Sequence, residues 1–480
     1  MLGILSLLNK QKTQQRKPPQ VKSSKTEIHA KIHKIPHIRF AEDRRLTSYS
    51  GIVVFQALFR ALRLKVRFRG CFQPLGGSKI FGHATVMLLL VVHFILGFRR
   101  LRELDYYSDD PLVARVIGLR KLPDVATVSR TLASADAASV ESFRRIVPEL
   151  VLERLKKERF KKLTVDFDGS VQSTTGHAEG TAIGFNKKKK GARSYYDLFA
   201  TVAQTSQFFD RLHRPGNVHD SNGAVDFIAK TLYWISKELP GTKLESRIDS
   251  AFYNNLIFHV MEALRVEFTC SVPFERFPLL KAIIEKRKRW RKIDGELSFF
   301  ESDWKPKSWK KSYRLLIIRK RIRKQIKGPL QLDLFRPLDY DFEYKVVATN
   351  KTDPAQDVLK FHNGRGSQEK LFGEAKQHAG LDLIPTRRKV GNQLFTLAGM
   401  LAHNLGRELQ MATRKPERGD LAKRPARWEF QSLGRIRQRL VHNAGTLTRP
   451  QGELTLTMNS NETVRKEMTA YLDALLKKAA

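Results

Sequence analysis

An α/β core preceded by a helical region is the fold class this sequence predicts, and three observations carry it. Up to about Lys162, apolar residues recur at helical spacing, as in "GIVVFQALFRALRL" and "ESFRRIVPELVLERLKK". Beyond it the period shifts toward two, and short strand-like runs alternate with amphipathic helices, the pattern of an α/β layer structure. The 480 residues with 41% apolar content are enough to build more than one core.

Along the chain, residues 1–40 hold a basic stretch rich in Lys, Gln, Pro and Ser, which reads as a disordered arm. Residues 41–160 form the helical region. Its run "ATVMLLLVVHFILGF" (84–98) is shorter than the ~20 residues of a membrane span and is expected as a buried helix. "LVARVIGLRKLPDVATVSRTLASA" gives two helices broken at Gly118 and Pro123, the outline of a helix-turn-helix and equally that of an αα-hairpin.

Residues 161–273 open the α/β core. "KLTVDFDGSVQS" is a strand, "YDLFATVAQTSQFFDRL" a hairpin turning at Gln204–Gln207, "AVDFIAKTLYWISKEL" a helix, "LESRIDSAF" a strand, and "NNLIFHVMEAL" with "VEFTCSVP" a helix and strand. Residues 274–341, dense in Lys and Arg and holding Trp290, Trp304 and Trp309, read as an inserted β-rich subdomain. "FEYKVVATN" restores the core over 342–412, and 413–480 is a basic C-terminal region.

Lys plus Arg number 88 against 48 acidic residues, a net charge of +40. Such a surplus repels itself unless a polyanion neutralises it, which points to nucleic acid, with an anionic membrane surface as the lesser competitor. Cys71 and Cys270 are the only cysteines, so neither a disulfide framework nor a zinc-ligand spacing exists. A cytoplasmic protein is expected.

Three carboxylates stand where chemistry could use them. In "LTVDFDGS", Thr164, Asp166 and Asp168 share one strand face; Asp168 stands beside Gly169 where a loop can open it, and Asp166 is better placed as a hydrogen-bonded neighbour, while an Asp-Gly turn would also account for Asp168. Asp249 follows the strand "LESRI" and could equally be a helix N-cap. In "FHNGRGSQEKLFGEAKQ", a helical projection puts His362, Arg365, Glu369 and Lys376 on one face beside the stripe Leu371, Phe372, Ala375 and Ala379. Glu369 could there do no more than pair with Arg365 at i,i+4, and Glu374 is the second choice for a functional acid. Acids from two strand ends and a helix, in so cationic a chain, suit a pair of divalent ions clamping a phosphodiester, with hard oxygen ligands favouring Mg²⁺ or Mn²⁺.

The spacing His362-x2-Arg365-x3-Glu369-x6-Lys376 resembles the signature around the catalytic Glu in DDE transposases of bacterial insertion sequences. "DFDGS", "GFNKKKKGARSYYDLFATVAQT", "RPGNVHDSNGAVDFI" and "RIDSAFYN" resemble the thirteen-eighty branch of that superfamily. The resemblance covers nearly the whole chain. It implies an RNase H-like core with a β-rich insertion, preceded by an all-α DNA-binding region, and a metal-binding catalytic triad of Asp168, Asp249 and Glu369 using Mg²⁺ or Mn²⁺. It also implies binding of the element's terminal inverted repeats, cleavage by metal-activated water and strand transfer, by a homodimer acting on nucleoid DNA. Arg365, Lys376 and His362 would contact DNA, although the first signature position is usually Tyr. Lys187, Lys188, Lys189, Lys190 and Arg193 would add phosphate contacts. Trp290, Trp304 or Trp309 could stack a flipped base if a hairpin forms, or pack in a small β core. A non-catalytic DNA-binding derivative and an RNase H-like nuclease without strand transfer are the competing functions.

Overall fold

The computed structural model describes residues 43, 45–75, 80–184, 186, 189–218, 222–322, 342–416 and 428–477. The expected basic arm at 1–40 and the segment 323–341 lie outside them.

Up to Glu158 the described residues are helical apart from strand β1 (Leu46–Thr47): α1 (Ile52–Ala61), α2 (Leu64–Phe72), α3 (His83–Leu96), α4 (Pro111–Ile117), α5 (Val125–Ala133) and α6 (Ala137–Glu158). The caps follow from sequence. Asp110, Asp124 and Asp136 precede α4, α5 and α6, and each side chain accepts backbone N–H bonds of the first turn. Gly118 ends α4 at φ 93°, a left-handed position that costs glycine nothing. The connection 118–124 between α4 and α5 is longer than the about 3–4 residues of a helix-turn-helix turn. Helix α3 is buried nearly all round, as its apolar run predicts, and His93 within it meets the Tyr107 hydroxyl at 2.8 Å. No helix among the described residues is long and apolar enough to cross a membrane.

One mixed sheet follows. Its strands are β2 (Lys162–Thr174), β3 (Ala182–Ile183), β4 (Arg193–Val202), β5 (Gln207–Leu212), β6 (Lys243–Ile248), β7 (Glu267–Ser271), β8 (Arg291–Lys292), β9 (Leu297–Trp304), β10 (Tyr313–Arg321) and β11 (Phe342–Thr349). The order is β3-β4-β2-β6-β7-β11-β10-β9-β8, with β5 also pairing β4. Strands β2, β4 and β5 form an antiparallel meander, while β6 and β7 run parallel to β2. The parallel crossovers are carried by α7 (Ala224–Glu238) and α8 (Asn255–Ala263), followed by α9 (Pro278–Glu285). This mixed sheet with flanking helices fits an RNase H-like core.

Two expectations change here. Strands β9 and β10 extend the central sheet beyond β11, so this part of 274–341 is not set apart as a subdomain of its own. The helices of 41–160 are likewise not separate. They share one apolar core with α11 (Gly366–Ala379), α12 (Lys389–Thr413), the short α13 (Leu433–Ile436) and α14 (Glu462–Leu476), which follow α10 (Ala355–Asn363) in the described chain. The pairing of β1 with β12 (Gly445–Thr448), itself joined to β13 (Thr455–Met458), ties both ends of the described chain together. A second core lies on the other side of the sheet, where Leu163, Val165 and Phe167 of β2 meet α7 and α8.

Candidate active site

Strand β2 does not end at Asp168, as the Asp-Gly dipeptide suggested; it runs on to Thr174. What ends is its pairing with β6, whose register closes at Asp166↔Arg247, so the two strands part just where Asp168 and Asp249 emerge. Asp166, Asp168 and Gln172 point to the face away from Phe167, as alternation requires. Gly169 lets another group close in: a Cβ there would stand 2.4 Å from the Tyr196 hydroxyl.

Of the two acids on β2, Asp166 is sealed. Arg247 grips it through Nε at 2.8 Å and Nη2 at 2.5 Å, with both side chains essentially unexposed. The bidentate fork satisfies a charge that could not otherwise be buried. Gly364 makes room for it, since a Cβ there would meet Arg247 Nη1 at 2.2 Å. Sequence reasoning missed Arg247; the available signal was an arginine in the strand "LESRI", two positions before Asp249 and hence on its side.

Asp168 and Asp249 come together around a different guanidinium. Arg365 Nη2 lies 3.1 Å from Asp168 Oδ2 and 3.4 Å from Asp249 Oδ2, and all three side chains are only partly covered. Asp168 Oδ1 accepts the Gly169 N–H at 2.8 Å. Asp249 Oδ1 accepts the Ala251 N–H at 3.0 Å, so the residue is both a cap of the turn Ser250–Phe252 and a member of this pair. Burial pushes the Asp168 carboxyl up to about 6, with Arg365 pulling against it and Asp249 adding to the rise.

Helix α11 holds the third expected acid. Its stripe Leu371, Phe372, Ala375 and Ala379 is buried as projected, Phe372 meets Phe199 edge-on at 5.3 Å, and Gln368 donates to Thr201 Oγ1 at 3.0 Å. Glu369 follows Arg365 by four residues in the first turn and is exposed. Among the described residues, no three His, Cys, Asp or Glu side chains converge so as to hold a metal ion. The structure therefore assembles two of the three expected carboxylates and leaves Glu369 on the helix beside them. Asp168 and Asp249 bring hard carboxylate oxygens side by side, the donor type that Mg²⁺ and Mn²⁺ prefer.

The other expected residues divide. The single helical face is interrupted, because α10 ends at Asn363 and α11 starts at Gly366. His362 faces inward: it is buried, with Nδ1 at 3.0 Å from Thr269 Oγ1 and Nε2 at 3.0 Å from Ser271 Oγ, so no ring nitrogen is left for DNA. Burial, with Lys345, Arg365 and Arg247 near, pushes it down to about 3, so it is neutral. Lys376 is half-buried on α11. Glu374 is structural, bound to Arg407 at 2.5 Å and to the Leu433 N–H at 2.9 Å.

Lys189 and Lys190 are exposed, and Lys187 and Lys188 lie outside the described residues. Arg193, at the start of β4, donates to Thr181 Oγ1 at 3.1 Å and to the Thr181 carbonyl just before β3. All three tryptophans pack against the second core. Trp290 lies under the Arg319 guanidinium at 4.4 Å, Trp304 meets Phe277, and Trp309 stacks on Tyr253 with centroids 4.8 Å apart.

No curated protein matches the chain. Among solved structures, it is similar to a piggyBac transposase synaptic complex with hairpin DNA, determined by cryo-EM. The identity is 12%, the coverage 82% of this chain and 79% of that chain, and the TM-score 0.40. A family model described as "Transposase DDE domain group 1" matches residues 33–480, nearly the whole sequence, and the chain therefore belongs to this family of DDE transposase domains.

Proposed function

We propose that this protein is the transposase of a bacterial insertion sequence, in the branch its motifs resemble. It binds the terminal inverted repeats of its element, cuts the DNA there and joins the freed 3′ ends to target DNA. The observation that carries the reading is the convergence of Asp168 and Asp249, from two neighbouring parallel strands, on the arginine four residues before Glu369. Family membership and the net charge of +40 support it.

Asp168, Asp249 and Glu369 would hold the divalent ions, which when bound supply positive charge to the attacked phosphate and acidify water. The chain's own groups do the rest. Arg365 holds the two aspartates side by side, and its planar fork suits a phosphate once those carboxylates are otherwise neutralised. The sealed Asp166–Arg247 pair fixes the spacing of β2 and β6 beneath the site. Exposed Lys189 and Lys190 add backbone contacts, and Lys376 on α11 lies on the same element as Glu369. We further propose that the working form is a homodimer bridging both element ends, in the cytoplasm.

The test uses short duplexes tiled across the DNA flanking the reading frame, with Mg²⁺ or Mn²⁺. The native protein should nick one of them at a fixed position and join the cut strand to a second DNA. Asp249→Ala and Glu369→Ala should abolish cutting, by at least ~10³-fold, while the duplex still shifts in a gel. Binding without nicking by the native protein would leave a DNA-binding derivative, and nicking without joining would leave a nuclease.

A further inference from the structure

Beside the signature arginine stands a second cation that no motif singles out. Lys345 lies on β11, whose start falls at the same edge of the sheet as the ends of β6 and β7, because β11 runs antiparallel to β7. Its side chain shares a face with Val347, which is paired with Ser271, and Ser271 in turn holds the ring of His362. By register, that is the face on which Arg247 and Thr269 lie and toward which Asp249 emerges. Two strand spacings separate β11 from β6, roughly 10 Å, so one DNA strand crossing this edge can meet both Asp249 and Lys345.

The surroundings of Lys345 are built rather than incidental. Its Nζ donates to Asn363 Oδ1 at 3.1 Å, in the last turn of α10, just before Gly364 and Arg365. Among the described residues, its ammonium is held by the Asn363 amide oxygen and by no carboxylate. Although Lys345 is exposed, partial desolvation and the nearby Arg365 charge pull its ammonium below the ordinary lysine range. Arg365 has two carboxylates to lean on, whereas Lys345 has only a neutral amide. Lys345 is exposed, so its ammonium is open to an incoming anion beside Arg365.

We propose that Lys345 is a phosphate-binding residue of this active site, held by Asn363 so that it and Arg365 grip neighbouring phosphates of the DNA strand being cut. The inference rests on the proposed function and names a contact that reading does not supply. His362, neutral and bonded to Thr269 and Ser271 of β7, adds no further positive charge beside Lys345 and Arg365.

The experiment compares the native chain with Lys345→Gln and Lys345→Arg on the duplex that the native chain cuts. In Ca²⁺, without cutting, affinity is measured against salt concentration, and single phosphates of the cut strand are replaced in turn by neutral methylphosphonates. Lys345→Gln should bind ~10-fold more weakly, as expected for losing one charge-assisted hydrogen bond. Its log–log salt slope should shrink by about 0.9. One methylphosphonate position should weaken the native chain and leave Lys345→Gln unaffected, while Lys345→Arg restores both affinity and slope. An unchanged slope, or equal losses at every methylphosphonate for both proteins, overturns the proposal. So does equal failure of the Arg variant, which would make Lys345 a structural residue. If the native chain cuts no duplex, the transposase reading fails instead.

Discussion

Two acid–arginine arrangements sit two residues apart on one strand face and differ in nearly everything else. Asp166 and Arg247 face each other one to one, with bidentate geometry and no solvent contact. Asp168 and Asp249 share a single nitrogen of Arg365, at 3.1 and 3.4 Å, and all three groups are partly open. A closed pair is complete and has nothing left to bind. An open one, whose two carboxylates meet one guanidinium nitrogen at partly exposed positions, keeps oxygens within reach of an incoming cation. Residue type does not separate the two; the parting of β2 from β6 after Asp166 does.

The most severe way to break the contrast is to unpair the closed side. Arg247→Met leaves the Asp166 carboxylate buried with neither its fork nor water. The fold should lose about 3–5 kcal/mol, the usual consequence of stranding one member of a buried ion pair. Urea unfolding followed by far-UV circular dichroism measures it. A loss below about 1 kcal/mol would mean that water reaches Asp166, and the two sites would then be alike.

Much of this arrangement was legible in sequence, and the remainder was not for definite reasons. Period-two alternation put Asp166 and Asp168 on one face, and helical projection identified the buried stripe of α11 down to Ala379. Asp166 as the hydrogen-bonded neighbour and Asp168 as the open acid were also legible, whereas the identity of the Asp166 partner, Arg247, depends on the β2–β6 register, which no local pattern encodes. His362 looked like a member of the polar face because the projection ran one helix through Gly364 and Arg365; the break between α10 and α11 turns it toward Thr269 and Ser271 instead. The strands β9 and β10 resembled an insertion because their charge density differs from that of the core, yet sheet pairing is indifferent to the charge on the solvent side of a strand. The shared core of the N- and C-terminal helices joins residues too far apart in sequence for periodicity to link.

A second intervention sharpens the contrast from the open side. Asp168 pays for its burial by having its pKa pushed up to about 6, so ionising it works against the native state. For an acid raised in this way, the unfolded chain ionises first. The destabilisation is absent below about 3.8, grows as pH rises through the interval up to about 6, and is fully present above it. Asp168→Asn removes the ionisation and should stabilise the metal-free protein at pH 7.5 by about 1–3 kcal/mol. The gain should shrink progressively as the pH is lowered from 6 to 4. Differential scanning calorimetry in a chelating buffer at several pH values reads this directly. A variant less stable than the native chain at pH 7.5 would show that Asp168 is a structural acid like Asp166.

The gentlest intervention concerns Arg365 itself. Its contacts are single, partly exposed and not bidentate, so Arg365→Gln should cost the fold no more than about 1 kcal/mol, far less than Arg247→Met. Its effect on cations should run the other way. With the guanidinium gone, two neighbouring carboxylates lose their shared positive charge, and an incoming Mn²⁺ no longer competes with it for the same oxygens. Above pH 7, where Asp168 is ionised, Mn²⁺ binding without DNA should tighten by ~3- to 10-fold, a change of the size expected from removing one like charge near a partly exposed site. The free Mn²⁺ signal in electron paramagnetic resonance follows this without reference to cutting. DNA cleavage should fall all the same, because the group that would move onto the phosphate is missing. If Mn²⁺ bound more weakly instead, Arg365 would be the scaffold that orients the aspartates, and the open arrangement would be as structural as the closed one beneath it.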